Sequence, residues 1–218
     1  LAAVDSVERL VSVENINCHF RRCGRLALAS KATHYPRFEE AARVLCREFA
    51  HEVRVLRRAD LRDEIGSDVY HGGLLDEASA SVNPGQYVAG LARAASAAGA
   101  TVHEMTPVSS VERHGPRSRV MTPRGVVDAA DILVATSGYT GAVTQALRRK
   151  VVPIGSYIIV TEPLSDAMAL ELSSRGRMMY DSRHFLHYFR LTPDRRLLFG
   201  GRAGFVPETE STVLESAA

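Results

Sequence analysis

Residues 127–141, VDAADILVATSGYTG, constrain the fold most, because an apolar run at 132–135 stops abruptly at Thr136, Ser137 and Gly138. Four consecutive apolar residues without alternation are expected of a strand buried on both faces of a sheet, as in parallel sheets. Small residues at the carboxyl end of such a strand let a ligand approach the backbone, and open α/β sheets bind ligands outside that end. On spacing alone the plainer reading is a strand-to-helix turn, with Ser137 or Thr140 capping a helical segment over 142–147.

At 218 residues the chain can hold one large domain or two small ones. Its 45% hydrophobic and 24% charged residues are those of a soluble globular protein. The net charge is +2 and no long Lys/Arg patch occurs, so nucleic acid is not expected as a partner; Arg148, Arg149 and Lys150 suit a helix C-terminus. No apolar stretch approaches the roughly 18 residues of a membrane span and no basic-then-apolar leader opens the sequence. A cytoplasmic location with no membrane partner is the default. Cys18, Cys23 and Cys46 are too few for a disulfide framework, and with His19 and His51 they match no zinc spacing, so no metal is expected.

In chain order, a helix over 2–16 carries Val4, Val7, Leu10 and Val11 on one side, and 17–22 and 25–30 read as a hairpin about Cys23-Gly24. Residues 35–49 form an amphipathic helix with Phe38, Ala41, Ala42, Leu45 and Phe49 inward. A short strand at 53–56 and a short helix at 59–65 follow. Asn83 caps the next helix, Pro84 occupies its first position and Gly99 closes it, leading to a strand at 101–104. Short strands at 108–113, 119–122 and 125–128 make a small antiparallel meander. A strand at 151–161 and a short helix at 167–172 precede a hairpin, 185–191 with 196–199, around Thr192-Pro193-Asp194-Arg195. Alternation puts His184, Leu186, Tyr188 and Arg190 on one face, and Phe185, His187 and Phe189 on a more apolar face expected in the core. An Arg beside a Tyr suits a carboxylate, although a solvated sheet face explains the pair as well.

Five blocks in this order resemble the D-amino-acid-oxidase superfamily of FAD-dependent oxidoreductases, particularly the glycine-oxidase and γ-glutamylputrescine-oxidase branch. They are GGLLDEASASVNPGQYVAGLARAASAAGATVHE, TPVSSVE, ADILVATSGYTG, PIGSYIIVTEPL and YFRLTPDRRLLFGG. The resemblance implies a mixed α+β and α/β fold: a partial FAD-binding sheet with a small antiparallel meander, plus a substrate-binding mixed or antiparallel sheet with helices. It implies a division into 1–75 (substrate-domain portion), 76–150 (partial FAD-binding domain) and 151–218 (substrate-binding sheet). Val108 matches the residue whose backbone meets the adenine side of FAD, and Ala135, Thr136, Ser137, Gly138 and Tyr139 match the turn near the flavin. Ser137 stands where that turn commonly has glycine. The strand bearing Tyr188 and Arg190 matches one that roofs the flavin and lines the substrate cavity, with His184 and His187 as further substrate-binding candidates.

The implied reaction is oxidation of the C–N bond of a small amine or amino acid, the flavin supplying the chemistry. The family's G-x-G-x-x-G turn, which holds the pyrophosphate at a helix N-terminus, does not occur in the sequence. The expectation is therefore a central fragment of a longer flavoenzyme, inactive alone, completed by a missing FAD-binding segment or partner chain. Two alternatives stand beside it: a non-catalytic small-molecule binding module, and a cofactor-less subunit of a hetero-oligomeric oxidase.

Overall fold

A large sheet grows outward from β1 (Arg25–Leu28), whose Leu26, Ala27 and Leu28 are all buried. One edge of β1 pairs antiparallel with β3 (Gly72–Asp76) and the other pairs parallel with β8 (Met178–Asp181). The computed structural model describes residues 2–152 and 155–204. Among them the sheet has seven strands in the order β2-β3-β1-β8-β9-β10-β7, where β2 is Arg54–Arg57, β7 Gly155–Pro163, β9 Tyr188–Leu191 and β10 Arg196–Gly204.

Register separates the faces of this sheet. Leu75, Leu26, Met179, Phe189 and Phe199 lie side by side across five strands. With Leu28, Leu56, Leu61 and Ile65 they build the core, and Phe189 stacks on Phe199 at 5.9 Å between ring centroids. Each fully buried leucine contributes about 1.5–3 kcal/mol. The opposite face carries the neighbouring row Leu74, Ala27, Tyr180, Tyr188 and Gly200.

Helices flank the sheet. In α1 (Ala2–Val13), Val4, Val7 and Val11 are half-buried. In α2 (Tyr35–Phe49), Phe38, Ala41, Ala42 and Leu45 are half-buried, whereas Phe49 at the open end is exposed. The helix α3 (Pro84–Ala97) starts as its sequence predicts, with the Asn83 side chain accepting from Gln86 N–H at 3.1 Å. Its Gly90 packs on Ile16, where a Cβ would collide with that side chain. A partly buried ion cluster ties distant segments together: Arg177 donates to the buried Glu64 at 2.5 Å and to the exposed Glu77 at 2.6 Å.

The described residues fall into two units, one within Leu1–Ala98 and Ser156–Ala203 and the other within Gly99–Gly155 and Gly204–Ala218. The second contains the antiparallel meander β4 (Ser110–His114), β5 (Arg117–Thr122) and β6 (Gly125–Ala129), then the one-turn helix α4 (Gln145–Arg148). In the first unit, the short helix α5 (Asp166–Leu172) is capped by Ser165. The molecule is thus a mixed α/β protein with a large mixed sheet and a small antiparallel one.

Three expected elements are corrected. The hairpin of 17–22 with 25–30 does not form, because β3 and β8 take both edges of β1; only Arg21 of the first segment bridges, to Ser81. Residues 132–135 are not a strand: Ile132, Leu133 and Val134 are 38%, 89% and 38% exposed, and no described strand pairs with them. Residues 101–104 are likewise not a strand, and Val102 is exposed. The run at 132–135 has the apolar composition of a paired strand, but the described unit offers it neither a ladder nor a cover, and 101–104 holds one apolar residue, Val102. Of the expected strand 151–161, residues 153 and 154 lie outside the described residues.

Candidate substrate-binding face

Tyr188 sits on β9 directly opposite Gly200 of β10 and beside Tyr180 of β8. Gly200 is required here by close approach: a Cβ at that position would overlap the Tyr188 ring. The phenol is fixed at its far end, 3.0 Å from the Ser156 hydroxyl on β7, and Ser156 also donates to the Gly201 carbonyl at 3.0 Å. Arg25 lies over the Tyr180 ring at 5.7 Å, a cation–π contact. The result is an aromatic face of two tyrosines with guanidinium groups around it.

Arg190, two residues along β9, shares the face of Tyr188 and stands opposite Leu198. One of its nitrogens donates to the Val82 carbonyl at 3.1 Å, which leaves the other guanidinium N–H groups as donors into a cavity of about 1050 Å³.

The two histidines lie elsewhere. Residues 183–187 are not strand, so the alternation that would put His184 beside Tyr188 stops before reaching it; His184 is exposed, edge-on to Phe185 at 4.8 Å. His187 packs over Phe199 on the core side, and its Nδ1 is 3.1 Å from the buried Asp181 carboxylate. Arg183 lies 3.3 Å from the same carboxylate. Burial, with the Asp181 charge in second place, pushes the nearby Tyr70 phenol above its ordinary range. Sequence reasoning missed Tyr180, Ser156 and Arg25, because a cross-strand neighbour is visible only once register is known.

In the second unit, Val108 is exposed just ahead of β4, where Ser109 N–H donates to the Met121 carbonyl at 2.8 Å. Residues Ser137–Tyr139 form one 3-10 turn closed by Tyr139 N–H on the Thr136 carbonyl at 3.0 Å and by the Thr136 and Thr140 hydroxyls, 2.8 Å apart. Neither Ser137 nor Thr140 caps a helix; the Thr140 hydroxyl bonds back to the Ser137 carbonyl. Ser137 has φ +47, the left-handed region that glycine occupies at least cost. A Cβ at Gly138 or Gly141 would meet no atom within 4 Å, and Tyr139 is 96% exposed. The turn is thus open on the side of its glycines.

Comparison with known proteins agrees with this fold. The family model described as DAO, FAD dependent oxidoreductase, matches residues 1–217. The chain is 30% identical over 205 residues to the probable oxidoreductase OrdL of Haemophilus influenzae, covering 92% of this chain and 47% of that protein. It is 32% identical over 187 residues to the gamma-glutamylputrescine oxidoreductase of Escherichia coli, covering 85% and 43%. The chain thus spans about half the length of the curated relatives it matches. In fold it is similar to glycine oxidase from Geobacillus kaustophilus, with a TM-score of 0.72 at 16% identity over 96% of this chain and 56% of that one. L-proline dehydrogenase from P. horikoshii gives a TM-score of 0.74 at 15% identity, over 98% and 59%. The chain belongs to the DAO family of FAD-dependent oxidoreductases.

Proposed function

We propose that, in a protein built on the scale of these relatives, this chain supplies the substrate-binding sheet and part of the flavin-side wall of an enzyme that oxidises the C–N bond of a small amine or amino acid. The observation that carries the reading is the Tyr188 ring laid on Gly200 and held at its hydroxyl by Ser156. A ring fixed at both ends presents a flat apolar wall, which orients a small amine without ordering cost at binding. Arg190 offers a fixed fork for a substrate carboxylate. Ala135, Thr136, Ser137, Gly138 and Tyr139 would lie against the flavin ring, and Val108 near its adenine end. Bound FAD would supply the acceptor for the hydride lost from the substrate carbon. The amine nitrogen releases a proton as the C=N bond forms, and water then hydrolyses the imine.

A second reading, a subunit whose cofactor is gripped by another segment or chain, is favoured by one observation: the sequence contains no G-x-G-x-x-G. The cytoplasm is the compartment we propose for either form; among the described residues no helix is long and apolar enough to cross a membrane.

The test is Tyr188→Ala in the whole flavoenzyme. Loss of about tenfold or more in kcat/KM for its amine, with the bound-flavin spectrum intact, supports the assignment. Unchanged kinetics would remove Tyr188 from the substrate face.

A further inference from the structure

The cavity that Arg190 enters lies wholly within the first unit, between the β9–β10 turn, the segment after α5, and residues 19–21 and 81–84. Four arginines line it: Arg21, Arg175, Arg190 and Arg195. The sequence scatters them over 175 positions, and folding brings them together. The Arg21 backbone bridges Ser81 in both directions, at 3.0 and 2.9 Å, and the next residue, Val82, holds the Arg190 guanidinium. The Arg21 guanidinium bonds the Gly176 carbonyl, adjacent to Arg175.

Their charges are unequally compensated. Arg195 pairs with Asp166 and Arg175 lies 3.6 Å from Glu64. The one carboxylate lining the cavity, Asp194, is engaged by the Thr192 hydroxyl at 2.6 Å and by Arg196 at 2.7 Å. Arg21 and Arg190 bond only backbone carbonyls, and neither meets a carboxylate among the described residues. Carbonyl dipoles orient a guanidinium without cancelling its charge, so two fixed cations with spare N–H donors face one concavity. Asn83 turns its carbonyl oxygen to the α3 amide and keeps its NH2 group as a further donor, while Leu198, Pro193 and Leu170 give the cavity an apolar side.

We propose that this cavity is a binding site for a small polyanion, a molecule bearing carboxylate or phosphate groups, held by Arg21 and Arg190 with Arg175 and Arg195 at its rim. Two forks oriented by backbone carbonyls suit bidentate recognition of a planar carboxylate or of two phosphate oxygens. The volume is of the size that small-molecule pockets reach. The site shares Arg190 with the proposed substrate face, but its occupancy is read without flavin or turnover, so failure here and failure of the oxidase reading are separate results.

The experiment is calorimetric titration of the full chain at low ionic strength with inorganic phosphate and, separately, with citrate. Binding of either supports the site, and the arm that gives the tighter constant says whether phosphoryl or carboxylate chemistry is preferred. Arg21→Gln and Arg190→Gln should each weaken binding about tenfold or more, the factor expected when a charge-assisted hydrogen bond is lost. Arg21→Lys, which keeps the charge and loses the fork, should fall between. Asn83→Asp, which adds a negative charge at a lining position and keeps the oxygen that caps α3, should abolish binding without disturbing the fold, as circular dichroism would check. No heat with either anion, or constants unmoved by Asn83→Asp and both glutamine variants, would overturn the proposal.

Discussion

Gly200 and Tyr188 show how one absent side chain shapes a surface. Gly200→Ala would force the Tyr188 ring off its seat and break the 3.0 Å contact with Ser156; overpacking of this kind costs about 1–3 kcal/mol. Urea unfolding should show a lower midpoint, and in the whole flavoenzyme KM for the amine should rise more than kcat falls; a variant with wild-type midpoint and KM would refute the seat. Tyr188 and Arg190 were legible in the sequence because two-residue spacing on a strand fixes a common face, but Ser156 and Tyr180 reach that face through register, which no local pattern encodes. The ion cluster under Arg177 adds a pH dependence. The Arg177 guanidinium beside Glu77 holds that carboxyl below its ordinary value of 4.5, against a smaller opposing effect of burial. A depressed carboxylate stabilises the fold above the unfolded value and loses that contribution as pH falls through the lower folded one. Glu77→Gln should therefore flatten part of the stability loss below about pH 4.5, by less than ~1 kcal/mol because the Glu77 side chain is 56% exposed. An acid limb identical to wild type in urea titrations would rule this coupling out.

Elements read well from sequence where the pattern was long. The helix α2 runs over Tyr35–Phe49 as its apolar stripe predicts, and the meander β4–β5–β6 appears with ends moved by one or two residues. Short apolar runs were the failure, since a strand of four residues is defined by what lies beside it rather than by its own composition. The β1 strand belongs to a parallel pair with β8, whose residues follow more than 140 positions later, and that partner excludes the local hairpin with 17–22. The C-terminal end of α2 offers a test of local chemistry. Ala50 caps it at φ +48, ψ +35, with its N–H on the Cys46 carbonyl at 3.1 Å. A β-carbon in this left-handed region costs about 1 kcal/mol relative to glycine. Ala50→Gly should raise the urea midpoint by the equivalent of about 0.5–1 kcal/mol, the gain being reduced by the greater freedom of glycine in the unfolded chain. A fall in midpoint would mean that the cap is not left-handed in solution.

At the scale of the molecule, the two units differ in how their apolar sequence is used. The first buries its strongest apolar residues: Leu26, Leu28 and Leu75 are fully covered at the sheet centre. The second leaves apolar side chains on the outside, with Leu133 at 89% and Val102 at 54% exposed. Under the proposed function, the run at 131–136 would gain a pairing partner in the whole flavoenzyme, whose relatives are about twice as long as this chain. Hydrogen exchange separates the two cases. The β1 amides lie inside a sheet paired on both edges and open only with the whole unit, whereas those at 131–136 have no described ladder to protect them. In this chain alone, exchange at 131–136 should outrun exchange in β1 by roughly a thousandfold or more, the factor set by about 4 kcal/mol of opening free energy. In the whole flavoenzyme the same amides should slow toward the β1 rate. Equal protection at 131–136 and β1 in the isolated chain would show that these residues already have a partner strand, and the proposed gain of one in the whole flavoenzyme would fail.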